Sequence, residues 1–238
     1  MKKIFTAAFV LTILSLTTLS AQDKPFFIAA QGGATFSINE NGATYFENNK
    51  ALDLLKFQGA ASIGYYYSPR YGVRLYGEYS QNASACNSQE TNGGGFWPYT
   101  FNSGIVFADW IINGGDVSKP KKFNWRPYCG IGAAYSFGLK WGTEKLHPFQ
   151  TRVIEPRLNI HADKNIYEYK PAISFAFRYG MILEYVFNDT LGIFVDGSHE
   201  WFTDIYNGMA PRTADGKTAL GFPFDMKLNV SLGIALHI

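Results

Sequence analysis

The sequence predicts an all-β chain that folds as an eight-stranded antiparallel up-and-down β-barrel and spans a membrane with its strands. Three observations predict this class. Eight segments alternate apolar residues with polar or small ones, which is the period of a strand with one apolar face. Short and long connections alternate between the segments, as in a barrel with tight turns at one end and long loops at the other. Finally, 17% of the residues are aromatic and only 17% are charged, against roughly a quarter charged in a typical soluble chain.

The composition also excludes several classes. Disordered chains are poor in aromatic residues and rich in charge, so disorder is excluded. The mean hydropathy of −0.09 argues against a bundle of transmembrane helices, each of which needs about 20 apolar residues. The formal net charge of +2 gives no reason to expect nucleic acid as a partner.

The N-terminal residues predict export. Lys2 and Lys3 precede the uncharged apolar run 4–19, and Leu19-Ser20-Ala21 has the small residues of a cleavage site. We therefore expect residues 1–21 to be a secretory signal peptide and residues 22–238 to form the barrel. The run is short and no stop-transfer charges follow it, which makes a transmembrane anchor the weaker alternative. Removing the two lysines leaves 19 basic residues against 19 acidic ones, so the mature chain is formally neutral.

The strands follow in chain order. Segments 26–38, 57–68 and 72–81 alternate regularly, and 99–113 is weaker because Ser103 and Asp109 fall among Phe101, Ile105 and Phe107, as a bulge would produce. Segment 127–141 alternates from Cys129 to Trp141 around glycine, alanine and serine. The same period continues through 171–187 and 191–201 and is longest in 224–238, where every second residue from Phe224 to Ile238 is apolar.

The connections indicate which strand ends lie together. We expect long loops at 39–56, 82–98, 142–170 and 202–222, and shorter turns at 69–71, 114–126 and 188–190. An even number of strands places the long loops outside the cell and the short turns in the periplasm. Residues 158–169 have strand character, but no residues remain for a turn before Ile173, so we interpret them as a β-extension of the loop.

Alternation alone does not say which face is inside, because a soluble lipocalin-like barrel or a sandwich with an aromatic core alternates too. Between the apolar positions of 127–141 lie mostly glycine, alanine and serine, which suit a narrow lumen better than a solvated surface. The apolar face then meets lipid. Its interfacial girdles would contain the aromatic residues near the segment ends, Tyr65, Tyr67, Tyr79, Trp141, Tyr185 and Trp201.

The signal peptide, the eight segments and the alternating loops resemble the small eight-stranded outer-membrane β-barrels of Gram-negative bacteria, the group of the OmpA transmembrane domain and of PorT-like barrels. The C-terminus is similar to the family's assembly signal, with Ser231, Gly233, Leu236 and Ile238 at the matching positions. The resemblance implies insertion by the barrel-assembly machinery into the outer membrane, with the bilayer and lipopolysaccharide as surroundings. It does not imply an activity.

Charges of both signs fall on the predicted inward face, in near-equal number: Arg74, Glu78, Lys140, Arg178, Glu184, Asp196, Glu200, Asp225 and Lys227. A mixed set favours ion pairing over the single-sign ring of a selective pore. A turn centred on Asp189 sets Arg178 opposite Glu200, so we expect a cross-strand pair there. Eight strands enclose little more than their own side chains, so the paired charges predict a plug. Lys140 and Asp225 also fit the alternative of charges solvated at the rims.

The sequence shows no catalytic, cofactor or metal constellation. His199 cannot share a strand face with Ser198 or Glu200, and His147, His161 and His237 lack metal-ligand spacing. Cys86 and Cys129 are expected at opposite barrel ends, too far apart for a disulfide, so we predict two free thiols.

We therefore expect a non-enzymatic outer-membrane scaffold that displays four extracellular loops, with a protein partner or glycan at the loops, for example as a PorT-like accessory of a secretion or envelope complex. A second hypothesis is a transporter or channel for small apolar solutes, favoured if Gly59, Gly64, Gly130, Gly132 and Gly138 leave a continuous cavity. A contact between Arg178 and Glu200 would close that path. The third is an enzyme that modifies lipid A.

Overall fold

The structure is a computed structural model, and it describes residues 25–38, 51–87, 96–114, 122–141, 158–161, 166–169, 171–203, 206 and 224–238. The predicted signal peptide and most of the predicted long loops lie outside these residues. Among the described residues, no helix is long and apolar enough to cross a membrane.

Eight long strands form the barrel, and two short ones form a separate hairpin. Their bounds are β1 Phe26–Ile38, β2 Leu55–Tyr66, β3 Tyr71–Asn87, β4 Phe96–Ile112, β5 Phe123–Trp141, β6 Leu158–His161, β7 Ile166–Tyr169, β8 Ala172–Val186, β9 Leu191–Thr203 and β10 Phe224–His237. A 3-10 turn, Ala51–Leu54, precedes β2. The hairpin of β6 and β7 pairs only with itself, which confirms residues 158–169 as a β-extension of the loop.

The barrel is closed, and each strand pairs antiparallel with both neighbours in the order β1-β10-β9-β8-β5-β4-β3-β2. Closure depends on the first and last strands, which pair from Phe27 with His237 to Ile38 with Met226. Because each of the eight barrel strands pairs on both sides, the barrel sheet has no free edge. The predicted fold class, an eight-stranded antiparallel barrel, is confirmed.

Side-chain hydrogen bonds fix two tight turns at one end of the barrel. The Asn188 side-chain oxygen accepts hydrogen bonds from the backbone N–H groups of Thr190 (2.9 Å) and Leu191 (2.8 Å), which closes the turn between β8 and β9. Ser68 Oγ accepts one from Tyr71 N–H (3.0 Å) between β2 and β3. We call this the turn end and the opposite one the loop end.

Strands β3 and β4 run further than the alternating segments predict. Their ladder continues to the pair Asn87 and Phe96, so the connection covers residues 88–95 rather than 82–98. Cys86 consequently lies in a strand and not in a loop. Backbone pairing here continues beyond the segments in which apolar and polar residues alternate. Strands that have left the bilayer can still pair, because their hydrogen bonds do not require an apolar face.

A bulge interrupts the ladder between β4 and β5. Thr100 pairs with Lys140 but Asn102 with Phe137, so two residues of β5 face one residue of β4. Gly138 lies in this bulge with φ of +65°, a conformation that favours glycine. On the turn side of the bulge, β4 directs Ser103 and Asp109 into the lumen together with its aromatic residues.

Candidate functional site

The middle of the lumen is crossed by ion pairs from opposite walls. Arg74 on β3 binds Asp109 on β4 (Nε to Oδ2, 2.6 Å) and approaches Asp196 on β9 (Nη1 to Oδ2, 3.6 Å). Arg178 on β8 also holds Asp109, with Nε 2.8 Å from Oδ1. In the closed barrel β3 and β9 are four strands apart in either direction, so the contact between Arg74 and Asp196 spans the diameter.

A second layer lies towards the loop end and centres on Lys227. Its ammonium group donates to Glu78 Oε1 and lies 3.0 Å from Glu200 Oε2. The register places Glu200 directly opposite Arg178, as the predicted turn centred on Asp189 requires, and Arg178 Nη1 is 3.6 Å from Glu200 Oε1. This contact connects the two layers into one network. The side chains of this layer and of Arg178 are fully or nearly fully buried: Lys227, Glu78, Glu200 and Arg178.

A third ion pair closes the turn end. Glu184 on β8 lies 2.6 Å from Arg126 Nη2 and 2.8 Å from His237 Nε2. An apolar cluster that includes Phe27, Tyr66 and Ile111 fills the remaining space at this end. Near the turns the lumen therefore combines this ion pair with apolar packing, whereas its centre is mainly ionic.

Two tyrosines pack between the arginines. The Arg178 guanidinium carbon lies 3.6 Å from the centre of the Tyr76 ring, and that of Arg74 lies 4.3 Å from the centre of the Tyr128 ring. Both hydroxyl groups donate to carboxylates, Tyr128 to Asp196 at 2.7 Å and Tyr76 to Glu78 at 3.0 Å. The rings thus fill space between the arginines, and their hydroxyl groups satisfy one carboxylate in each layer.

At the loop end, Tyr206 reaches back into the barrel from beyond β9. Its ring stacks on Phe202 at a centroid distance of 3.8 Å, and its hydroxyl lies 2.7 Å from Ser103 Oγ. The side chain is completely buried, and this burial raises the pKa of Tyr206 to about 12. Tyr206 therefore covers the charged network as a neutral aromatic cap.

Glycines allow these side chains to fill the lumen. A Cβ at Gly130 would overlap the Asp109 carboxylate, and one at Gly132 would lie 2.7 Å from the Phe107 ring. A Cβ at Gly64 would overlap the Phe27 ring. The transporter hypothesis required a continuous cavity along the glycines, and at Gly64, Gly130 and Gly132 neighbouring atoms already occupy that space. Gly59 faces outward, since it alternates with the inward Gln58.

The structure places eight of the predicted lumen charges inside the barrel: Arg74, Glu78, Arg178, Glu184, Asp196, Glu200, Asp225 and Lys227 are each at most 5% exposed. Asp225 is fully buried, so the alternative of a charge solvated at the rim does not hold for this residue. The side chain of Lys140 lies outside the described part of the structure.

Sequence reasoning missed Asp109 and Arg126, although Asp109 is the carboxylate shared by two arginines. In the sequence Asp109 is only a break in an apolar pattern, because the lumen face of β4 also contains Phe101, Ile105 and Phe107. Arg126 lies just before the segment predicted to begin at residue 127. The alternation of β5 continues back to Phe123, and following it would have identified Arg126 as inward.

The residues that the sequence offered for catalysis lie on opposite faces of β9. His199 lies on the outer face, where its Nδ1 is 2.7 Å from the Tyr179 hydroxyl and its ring packs on Trp201 at 4.8 Å. Ser198 and Glu200 point the other way, into the lumen. Within the described residues, no group of three or more His, Cys, Asp or Glu side chains is placed to hold a metal ion. His147 and the side chain of His161 lie outside that part.

The thiols are far apart in the fold. Cys129 is free and exposed on the outer face near the turn end. Cys86 pairs with Trp97 at the loop end of the β3–β4 ladder, and its side chain lies outside the described part.

The outer wall of the barrel is apolar along every strand. Large side chains at 56–70% exposure include Leu232, Ile173, Val230, Phe175, Ile131 and Leu75. Tyr67, Tyr71 and Trp110 form an aromatic group at the turn end, where Trp110 Nε1 donates to the Tyr67 hydroxyl (2.9 Å) and the Tyr71 and Trp110 rings stack at 5.5 Å. A water-soluble surface rarely exposes so much contiguous apolar area.

The residues of the expected assembly signal divide between the two faces. Ser231 is buried and accepts a hydrogen bond from Gln31 (2.7 Å), and Gly233 lies against the Phe194 ring. Leu236 points outward on β10, and Ile238 exchanges backbone hydrogen bonds with Phe26 at 2.8 and 3.2 Å. All four therefore contribute to the seam between β1 and β10.

An apolar wall around an ion-paired polar lumen is the architecture of a transmembrane β-barrel. A major outer membrane protein from Thermus thermophilus has a similar fold, with a TM-score of 0.50 and 12% sequence identity over 90% of this chain and 99% of that one. Neisserial surface protein A (0.45, 10%, 90% and 97%) and Ail of Yersinia pestis (0.45, 12%, 91% and 100%) are also matched. No protein-family model and no curated protein matches the sequence.

Proposed function

We propose that this chain is an integral outer-membrane β-barrel without enzymatic activity, whose rigid wall holds four extracellular loops for interaction. The observation that carries the proposal is the combination of an apolar exterior with a lumen in which Arg74, Arg178 and Lys227 are all neutralised and buried. Such a lumen suits a scaffold, because each ion pair joins different strands and an unpaired buried charge would be costly.

A solute channel would need an open path along the axis, and the contact of Arg74 with Asp196 spans the diameter of the lumen. The loops are then the part of the chain available for recognition. An accessory role in a secretion or envelope complex, as in PorT-like barrels, is the specific version we propose for them.

Membrane fractionation with a heat-modifiability gel tests the location. We expect the protein in the outer-membrane fraction, migrating faster in SDS before boiling than after, because a folded barrel resists SDS. A soluble periplasmic product would contradict the proposal.

Two comparisons with a deletion strain test the role. An unchanged lipid A mass spectrum and unchanged solute uptake are expected for a non-enzymatic, closed scaffold. An altered profile of secreted or surface proteins would support the accessory role, and a changed lipid A spectrum would identify an enzyme instead.

A further inference from the structure

The outer wall carries a groove of about 770 Å³ across β1, β10, β9, β8 and the start of β5. Its two banks are adjacent rows of outward side chains that the strand register aligns. One bank contains Leu232, Val195 and Leu183, and the other contains Ile234, Ile193 and Tyr185.

The groove descends towards the turn end. On β1 it begins at Ala30 and Gly32, well inside the strand, whereas on β5 it ends at Phe123, the first residue of that strand. This slope follows from the tilt of the strands relative to the barrel axis. A row of side chains that follows the inter-strand hydrogen bonds is perpendicular to the strands and is therefore tilted as well. Four inter-strand spacings of about 4.8 Å make the groove about 19 Å long.

The upper end of the groove, on β1, is open because Gly32 has no side chain and Ala30 has only a methyl group. A Cβ at Gly32 would have the Phe57 ring and the Gln58 carbonyl oxygen as nearest neighbours, each at 3.7 Å, which is ordinary contact. A larger side chain at position 32 would fit on the backbone and would extend into the groove.

Gln31 also lines the groove, but its side chain donates to Ser231 inside the barrel, so the outward polar side chains of the lining lie at the lower end. The hydroxyl-bearing Tyr185 lines it beside Phe123, and the next residue, Lys122, is exposed at the rim. The lining is otherwise almost wholly apolar. A long apolar groove with one cationic end complements a molecule with an acyl chain and an anionic head group.

We propose that this groove binds one acyl chain of an anionic phospholipid, with the head group near Lys122. The inference rests on the proposed membrane location, which puts the turn end at the periplasmic surface, where phospholipid supplies the head group.

The test uses the full mature chain reconstituted in vesicles of phosphatidylethanolamine with a minor share of phosphatidylglycerol, then extracted in mild detergent for native mass spectrometry. We expect one retained phosphatidylglycerol per barrel. Gly32→Leu should reduce retention about tenfold. Gly104→Leu is the matched control, because it adds the same side chain on the outer face of β4 with nothing within 4 Å of its Cβ. Lys122→Gln should lower the preference for phosphatidylglycerol over phosphatidylethanolamine about fivefold.

Equal retention by the wild type and by Gly32→Leu would overturn the proposal, and so would a lipid-free dimer that Gly32→Leu abolishes, since a second copy would then fill the groove. Ala30→Leu blocks the same end and replaces Gly32→Leu if that variant does not fold. Heat modifiability is recorded for every variant. A folded membrane barrel without bound lipid would reject the groove while leaving the proposed scaffold intact.

Discussion

Removing the Asp109 charge should be among the most damaging single changes in the lumen. Asp109 is 3% exposed and accepts hydrogen bonds from Arg74 Nε (2.6 Å) and from Arg178 Nε (2.8 Å) and Nη2 (2.5 Å). Asp109→Asn keeps the shape but leaves two buried guanidinium groups with Asp196 and Glu200, both 3.6 Å away, as their remaining carboxylates. Breaking a buried pair by removing one partner costs about 3–5 kcal/mol. We therefore expect a loss of that size in the free energy of unfolding.

The assay is reversible urea unfolding in lipid vesicles, followed by tryptophan fluorescence. Asp189→Asn is the matched control, because Asp189 is exposed in the turn between β8 and β9 and its replacement should change stability by less than ~0.5 kcal/mol. Adding Arg178→Gln to Asp109→Asn should recover part of the lost stability, because it removes one of the two buried cations that have lost their carboxylate partner. A loss below ~1 kcal/mol for Asp109→Asn, or no recovery in the double variant, would refute the view that the network stabilises the barrel.

The same unfolding curves test three further changes. Gly130→Ala should cost about 1–3 kcal/mol, because its Cβ would overlap the Asp109 carboxylate, whereas Gly104→Ala has open space and should be neutral; equal effects would contradict this packing. Tyr206→Phe removes one buried hydroxyl contact and should cost about 1 kcal/mol, and an unchanged midpoint would mean that the cap is not held by that contact. Lys227→Met removes the cation between the buried carboxylates of Glu78 and Glu200 and should lower the free energy of unfolding by about 3–5 kcal/mol; a smaller loss would argue that these carboxylates are neutral in the barrel.

The lumen residues on regular segments were predictable because alternation fixes their face. The pairing of Arg178 with Glu200 follows from the predicted short turn at 188–190, which sets the register of β8 and β9 without any tertiary information. Asp109 was not predictable in the same way. The inward face of β4 is largely apolar, so its sequence gives no contrast between lumen and lipid.

The sequence did not predict which residues each buried charge contacts. The predicted pair of Arg178 and Glu200 is adjacent in the register, yet Arg178 makes its shorter contacts with Asp109, two strands away. The diameter of the barrel and the lengths of the side chains decide such contacts. No pattern along one strand contains either quantity.

The sequence by itself determined the barrel, its strand number and the two faces of most strands, because the period of two is a local property of the chain. Only the tertiary structure decided that Arg74 meets Asp196 across the lumen, and that Gly64, Gly130 and Gly132 make room for neighbouring side chains. The physical reason is closure: when β1 pairs with β10, residues distant in sequence share one narrow interior, and their volumes and charges must fit together there.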